Sequence, residues 1–322
     1  MIYIKSYKYN KNAGYVPNLT IFVIMSTGTR IFRTMITPLQ RLPLGFHYGV
    51  GRFLSWLAQS VVRYRRDVVM VNLSRSFPEK KWKEVRDTSR DFYRHFGDIF
   101  AEAMWFGGCR GNVSRLHRQG ICTVDNPEVL LEAYGSSPSV MLLTSHMGNW
   151  GIMGGLLEYL PQGHGIATND LVIAYKRLSN GFWNDFVGDN RASVLPEWTG
   201  YQESSNILRY ALGHRNERKV YIFIGDQYPY HGSARHTVPD FMHQPTLSMN
   251  GGAMLAAKLH MPVIYFGMVR SGKGHYRMEF HKICDDAATM DPDAVMAEYY
   301  RLLENDINRD PGNYLWSHNR WK

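Results

Sequence analysis

A histidine set where a strand gives way to a helix, with small polar residues around it, is the first place in this chain where chemistry is expected. Residues 140–150, Val-Met-Leu-Leu-Thr-Ser-His-Met-Gly-Asn-Trp, read as a buried strand that runs into a polar turn. The turn puts His146 at the strand end, with Ser145 and Asn149 as orienting groups beside it and Gly148 allowing close backbone approach. Imidazole suits the work of a general base because its ordinary titration lies close to neutral pH. A lone histidine is more often a satisfied structural group than a catalyst, so a second group has to support it. Residues 220–227 supply one: another apolar run, Val-Tyr-Ile-Phe-Ile, ends in Gly225-Asp226-Gln227. A carboxylate at Asp226 is suited to fix the tautomer of His146 and stabilise imidazolium, with the Gln227 amide assisting. The plainer account of Asp226 is a turn or capping residue, and Pro229 shortly after it favours that account.

Both motifs need a sheet whose strand ends come together. Short β-rich runs at 140–144, 171–174, 220–224, 263–269 and 276–280 alternate with helical stretches, the pattern of an α/β domain with a largely parallel mixed sheet flanked by helices. In such sheets ligands bind beyond the carboxyl ends of the strands, where both motifs fall. Further toward the N-terminus the texture is helical. Apolar residues from Val69 to Met104 recur at spacings of three and four, divided by Pro78-Glu79. The stretch 42–62 is long enough to cross a bilayer, yet it carries His47 and Arg52 and runs into Arg63, Arg65 and Arg66. That pattern suits a helix lying in the membrane interface or spanning it, and an amphipathic core helix is the bland alternative. Three divisions follow: a leader over 1–36, disordered or preceding the true start; a membrane-associated helical section over 37–110; and the α/β domain over 111–322.

Charge narrows the partners without choosing one. The 322 residues carry 37 Lys and Arg against 28 Asp and Glu, a net +9, which favours anionic partners such as phospholipid headgroups or an acidic carrier protein. Nucleic acid is not expected, because the basic residues are dispersed and no recognition signature accompanies them. Cys109, Cys122 and Cys284 are far apart and form no C-x-x-C pair, so neither a zinc site nor a disulfide framework is expected.

Taken jointly, the motifs resemble those of the lipid A biosynthesis (late lauroyl/myristoyl) acyltransferase family, within the lysophospholipid acyltransferases. The resemblance runs from about Leu42 to Lys322. It rests on Tyr64-Arg65-Arg66 with Asn72-Leu73 and Phe77-Pro78-Glu79, on residues 145–150 and 225–227, on Pro262-Val263 with Glu279-Phe280, and on the closing Trp-Ser-His-Asn-Arg-Trp-Lys of 316–322. It implies a glycerol-phosphate-acyltransferase-like fold, and transfer of an acyl chain from acyl carrier protein or acyl-CoA to a hydroxyl of a glucosamine-based lipid precursor. It also implies a location at the cytoplasmic face of the inner membrane, peripheral or anchored by a single helix. Such a reaction requires no cofactor, metal or covalent enzyme intermediate. Lys176, Arg177 and Arg191 lie in segments similar to those that line the family's substrate cleft, where guanidinium groups can hold phosphate bidentately.

One departure stands out: the family carries Asp or Glu five residues after the histidine, and this chain has Gly151 there. The orienting role therefore passes to Asp226. The same departure keeps two further readings open. One is O- or N-acyl transfer to another amphiphile, such as an amino-acid lipid or a polyketide-like lipid; the other is a non-catalytic membrane-bound homologue. The helix entry at Asn250-Gly251-Gly252 could hold an anion, though plain helix entry explains it, and the Met and aromatic residues of 141–153 and 241–249 suit ordinary core better than an acyl groove.

Overall fold

The computed structural model describes residues 27–109, 111–178, 180–193, 200–229 and 235–322. The N-terminal helices are α1 (Thr27–Gln40), α2 (Leu44–Trp56), α3 (Arg66–Ser76) and α4 (Trp82–Gly107). α1 starts inside the stretch assigned to the leader, and residues 1–26 of that stretch lie outside the described residues. Beyond α4 come α5 (Val113–Gln119), β1 (Cys122–Val124), α6 (Pro127–Ser136), β2 (Ser139–Thr144), α7 (Leu156–Tyr159), β3 (Leu171–Tyr175), α8 (Gly181–Ala192), β4 (Tyr201–Glu203), α9 (Ile207–Gly213) and β5 (Lys219–Ile224). The chain closes with β6 (Arg235–Phe241), β7 (Gln244–Met249), α10 (Gly251–Lys258), β8 (Val263–Gly272), β9 (His275–Cys284) and α11 (Pro292–Arg309).

Seven strands form one sheet in the order β1-β9-β8-β2-β5-β3-β4. β8, β2, β5, β3 and β4 run parallel, while β9 returns antiparallel to β8. All five expected strands are present. The brief edge strands β1 and β4 escaped notice because three residues carry too little pattern to read. The β6–β7 hairpin was also missed: it turns through Met242 and His243 at positive φ, where the usual glycine signal is absent.

β2 is buried at every position because both faces of the sheet are covered. Alternate side chains point to opposite faces, so Met141 and Leu143 join a core with α3, α10 and α11, while Val140 and Leu142 join one with α5, α6 and α7. Phe241, Met242 and the methionines at 141, 147 and 153 are core residues, as the plainer reading had it.

α2 packs closely along α4, and the contact is between glycines. A Cβ on Gly51 would collide with the carbonyl oxygen of Gly97, and one on Gly97 with that of Gly51. The inner face of α2 is made of Leu44, His47, Gly51 and Ser55. Its outer face exposes Phe46, Val50, Phe53 and Trp56, the reverse of what a water-facing helix shows. α2 ends at Trp56 and continues only as a π-helical turn over Leu57–Val61. Among the described residues no helix is long and apolar enough to cross a membrane, so the spanning alternative for 42–62 finds no support.

Candidate active site

β2 and β5 are hydrogen-bonded neighbours in register, with Thr144 opposite Ile224. Each chain therefore leaves the sheet at the same level, and the two motifs meet. His146 Nδ1 stands 2.7 Å from Asp226 Oδ1, and the His146 backbone N–H donates to Asp226 Oδ2 at 3.1 Å. Both carboxylate oxygens thus contact His146, and the buried Tyr314 hydroxyl also reaches the carboxylate. Asp226 is buried, whereas the imidazole keeps an open edge. Burial alone would raise the Asp226 pKa, but the charge and hydrogen bonds of His146, with a smaller contribution from Arg320, bring it below the usual carboxylate range. An ionised Asp226 accepts a hydrogen bond from Nδ1–H, which keeps that proton on Nδ1 and leaves the lone pair on Nε2. The Gln227 amide nitrogen lies 3.1 Å from that Nε2. Trp150 meets the imidazole edge to face, with ring centroids 4.9 Å apart.

The strand ends are tied down from below by tyrosines of α11. Tyr299 donates to the Thr144 carbonyl at 2.7 Å and Tyr300 to that of Gly225 at 3.1 Å. Arg320 is buried and donates to the Tyr300 hydroxyl at 2.8 Å. His318 accepts from the Tyr228 backbone at 3.0 Å and is held to a pKa of about 4, mainly by burial. The closing segment is in turn clamped to α3, since Asn72 donates to the carbonyls of Trp316 and His318.

Asn149 does not face the imidazole. Its side chain is fully buried, accepts from the Gly151 N–H at 3.1 Å and donates to Glu102 at 2.7 Å, so it shapes the turn from behind. Ser145 is buried in the same turn and makes no hydrogen bond to His146 among the described residues. Gly148 sits at φ +61°, and a Cβ there would lie 2.5 Å from Met268, so the turn needs glycine. At Gly151 a Cβ would have only Asn149 Oδ1 within 4 Å, at 3.1 Å. The imidazole nitrogen that needs an acid is already served from β5. Lys176 and Arg177 are exposed just past the end of β3, on the same rim as His146 and Asp226. Arg191 lies in α8, and its side chain is outside the described residues, as are residues 194–199.

Sequence reasoning missed Glu102. It is wholly buried on α4 and accepts from Asn149, from Tyr48 at 2.8 Å and from Tyr276 at 2.8 Å. The legible signal was an acid on the apolar stripe of a helix, between Ala101 and Trp105. Burial outweighs the three donors and lifts its pKa from 4.5 to about 7. Its folded value therefore lies above its unfolded one, the protonated form favours folding, and this contribution fades as pH rises from 4.5 through about 7. Melting temperatures should accordingly fall across that window, and Glu102→Gln should flatten the slope; equal slopes in parent and variant would count against it.

No metal-binding cluster of His, Cys, Asp and Glu occurs among the described residues. No curated protein matches the chain. The model of the bacterial lipid A biosynthesis acyltransferase family matches residues 24–322, and the chain belongs to that acyltransferase family.

Proposed function

We propose that the chain transfers a fatty acyl group from acyl carrier protein, or from coenzyme A, to a hydroxyl of a lipid A precursor at the cytoplasmic face of the inner membrane. His146 is the general base, and Asp226 holds it in the required tautomer. The observation that carries this reading is the 2.7 Å contact between His146 Nδ1 and Asp226, made at the strand ends of a family acyltransferase. The acceptor hydroxyl displaces the Gln227 amide from Nε2. Its oxygen attacks the thioester carbonyl as Nε2 takes the proton, the C–S bond breaks, and the proton passes to the departing thiolate. Lys176 and Arg177, from the loop past β3, and Arg191, from α8, contact the substrate, and Ser145 and Asn149 support the turn.

Incubating the purified chain with acyl carrier protein and coenzyme A thioesters and a tetra-acylated disaccharide phosphate, followed by mass spectrometry, tests the reading. A product heavier by one acyl group supports it. Gly151, which carries no carboxylate, favours a second reading in which the acceptor is another amphiphile; acylation only of an amino-acid lipid would select it. Absence of turnover with every donor would point to a non-catalytic homologue.

Peripheral membrane attachment is part of the proposal, and the outward apolar face of α2 supports it. Phe53→Ser with Trp56→Ser is expected to move most of the protein from the membrane pellet to the supernatant, at unchanged melting temperature. Retention in the pellet would show that α2 is not the anchor.

A further inference from the structure

α2, α4 and the β8–β9 hairpin border an open basin of about 830 Å³. Its wall carries five cationic side chains, on Arg52, Arg90, Arg94, Arg270 and Lys273, against two acids, Asp91 and Asp98. Two of the cations are already engaged: Arg270 lies between Asp91 at 2.6 Å and Asp310 at 2.8 Å, and Arg90 reaches Asp87 at 2.9 Å. Among the described residues the Arg52 and Arg94 side chains make no hydrogen bond or close ion pair, although Arg52 and Lys273 both lie within electrostatic reach of Asp98, so three cations face one remaining carboxylate. Lys273 stands 4.3 Å over the Tyr48 ring. Positive charge is therefore left over inside a concave wall, where it attracts an anion more strongly than on open surface.

The basin adjoins the turn that bears His146. β8 pairs Phe266 with Thr144 of β2 and then runs on to Gly272, so its hairpin rises past the strand ends on the side of the turn. His95, in the basin wall, is hydrogen-bonded to the Gly148 backbone, and its Nε2 is buried without a partner. Tyr276, also in the wall, donates to the Glu102 carboxyl that holds Asn149. On the other side the wall includes Trp56, at the end of the exposed apolar face of α2. A ligand with a buried tail and an anionic head would find both needs met at one place.

We infer that this basin binds a phosphate monoester on the headgroup of a lipid, held by Arg52, Arg94 and Lys273. A monoester presents up to two negative charges and three terminal oxygens, which suits two guanidinium groups and one ammonium; a diester offers one charge and two free oxygens. The assignment deepens the proposed function, because it rests on the acceptor being a lipid and names the group by which that lipid is positioned beside His146.

The test is binding without turnover, so it separates from the transfer reaction. The full chain in neutral maltoside micelles is titrated calorimetrically with dodecyl phosphate, with phosphatidylglycerol and with inorganic phosphate. Dodecyl phosphate should bind the parent, and Arg94→Gln or Lys273→Gln should each weaken it by roughly tenfold, while Arg94→Lys, which keeps the charge and loses the guanidinium fork, should fall between parent and Arg94→Gln. His146→Ala should bind as the parent does. Equal affinity in the parent and both glutamine variants would overturn the assignment. So would equal binding of phosphatidylglycerol, which would make the basin a general site for bilayer headgroups, or of inorganic phosphate, which would make it a site for the free ion. Intact binding with no acyl transfer would leave the basin standing and count only against the reaction. Arg94 and Lys273 are exposed side chains, and melting temperatures of the variants separate lost binding from lost folding.

Discussion

His146→Ala is expected to lower kcat for acyl transfer by about 10²- to 10⁴-fold, the usual contribution of a positioned general base. The hydroxyl oxygen of an alcohol is a poor nucleophile until its proton is accepted, and among the described residues no other imidazole touches Asp226. The substitution also leaves Asp226 buried without its nearest positive partner, so a lower melting temperature should accompany it. Circular dichroism distinguishes that from unfolding, and His146→Gln, which fills more of the space, checks the loss by a second route. The readout is product formation from an acyl thioester under saturating acceptor. A rate within tenfold of the parent, in a folded variant, would remove the imidazole from the mechanism and with it the reading of the site.

The pairing of His146 with Asp226 was legible because two facts combine. A buried apolar run of five residues that ends in a polar turn is a strand entering a loop, and in a parallel sheet such loops gather at one edge. Sequence could not say that β2 and β5 are adjacent, since their order in the sheet depends on crossovers between distant segments. Adjacency in register is what turns two plausible residues into a contact. Asn149 shows the opposite case: its position three residues from His146 suggested a shared site, yet the tight turn at Gly148 sends its amide inward to Glu102. Glu102 lies 47 residues from Asn149 in sequence and Arg320 is 20 from Tyr300, so neither support was visible as a local pattern. The basin between α2 and the β8–β9 hairpin was illegible for the same reason, because Arg52, Arg94 and Lys273 come from three separate elements. What could be read along the chain was the identity of each element; what could not was which elements become neighbours.

Asp226→Asn should have the largest effect of any single isosteric change, about 10⁴ in kcat where a buried acid behind a catalytic imidazole has been neutralised in a triad. The reason is tautomeric. An ionised carboxylate only accepts hydrogen bonds, so it requires the proton on Nδ1 and leaves the Nε2 lone pair toward the acceptor hydroxyl. An amide in the same place can turn its NH₂ toward Nδ1, and the imidazole then carries its proton on Nε2, facing the group it should deprotonate. Acceptor KM should change little, because Asp226 is buried behind the base and away from the substrate. Stability supplies an independent check with a definite sign. The Asp226 pKa is lower in the folded protein than its ordinary value, so its contribution is present above the unfolded carboxylate pKa and is lost as pH falls through the lower folded value. The melting temperature of the parent should therefore exceed that of Asp226→Asn near neutral pH, and the gap should narrow on acidification. A gap that widened toward acid would mean that Asp226 is protonated in the folded state, and a protonated acid cannot hold the imidazole in the tautomer that the reaction requires.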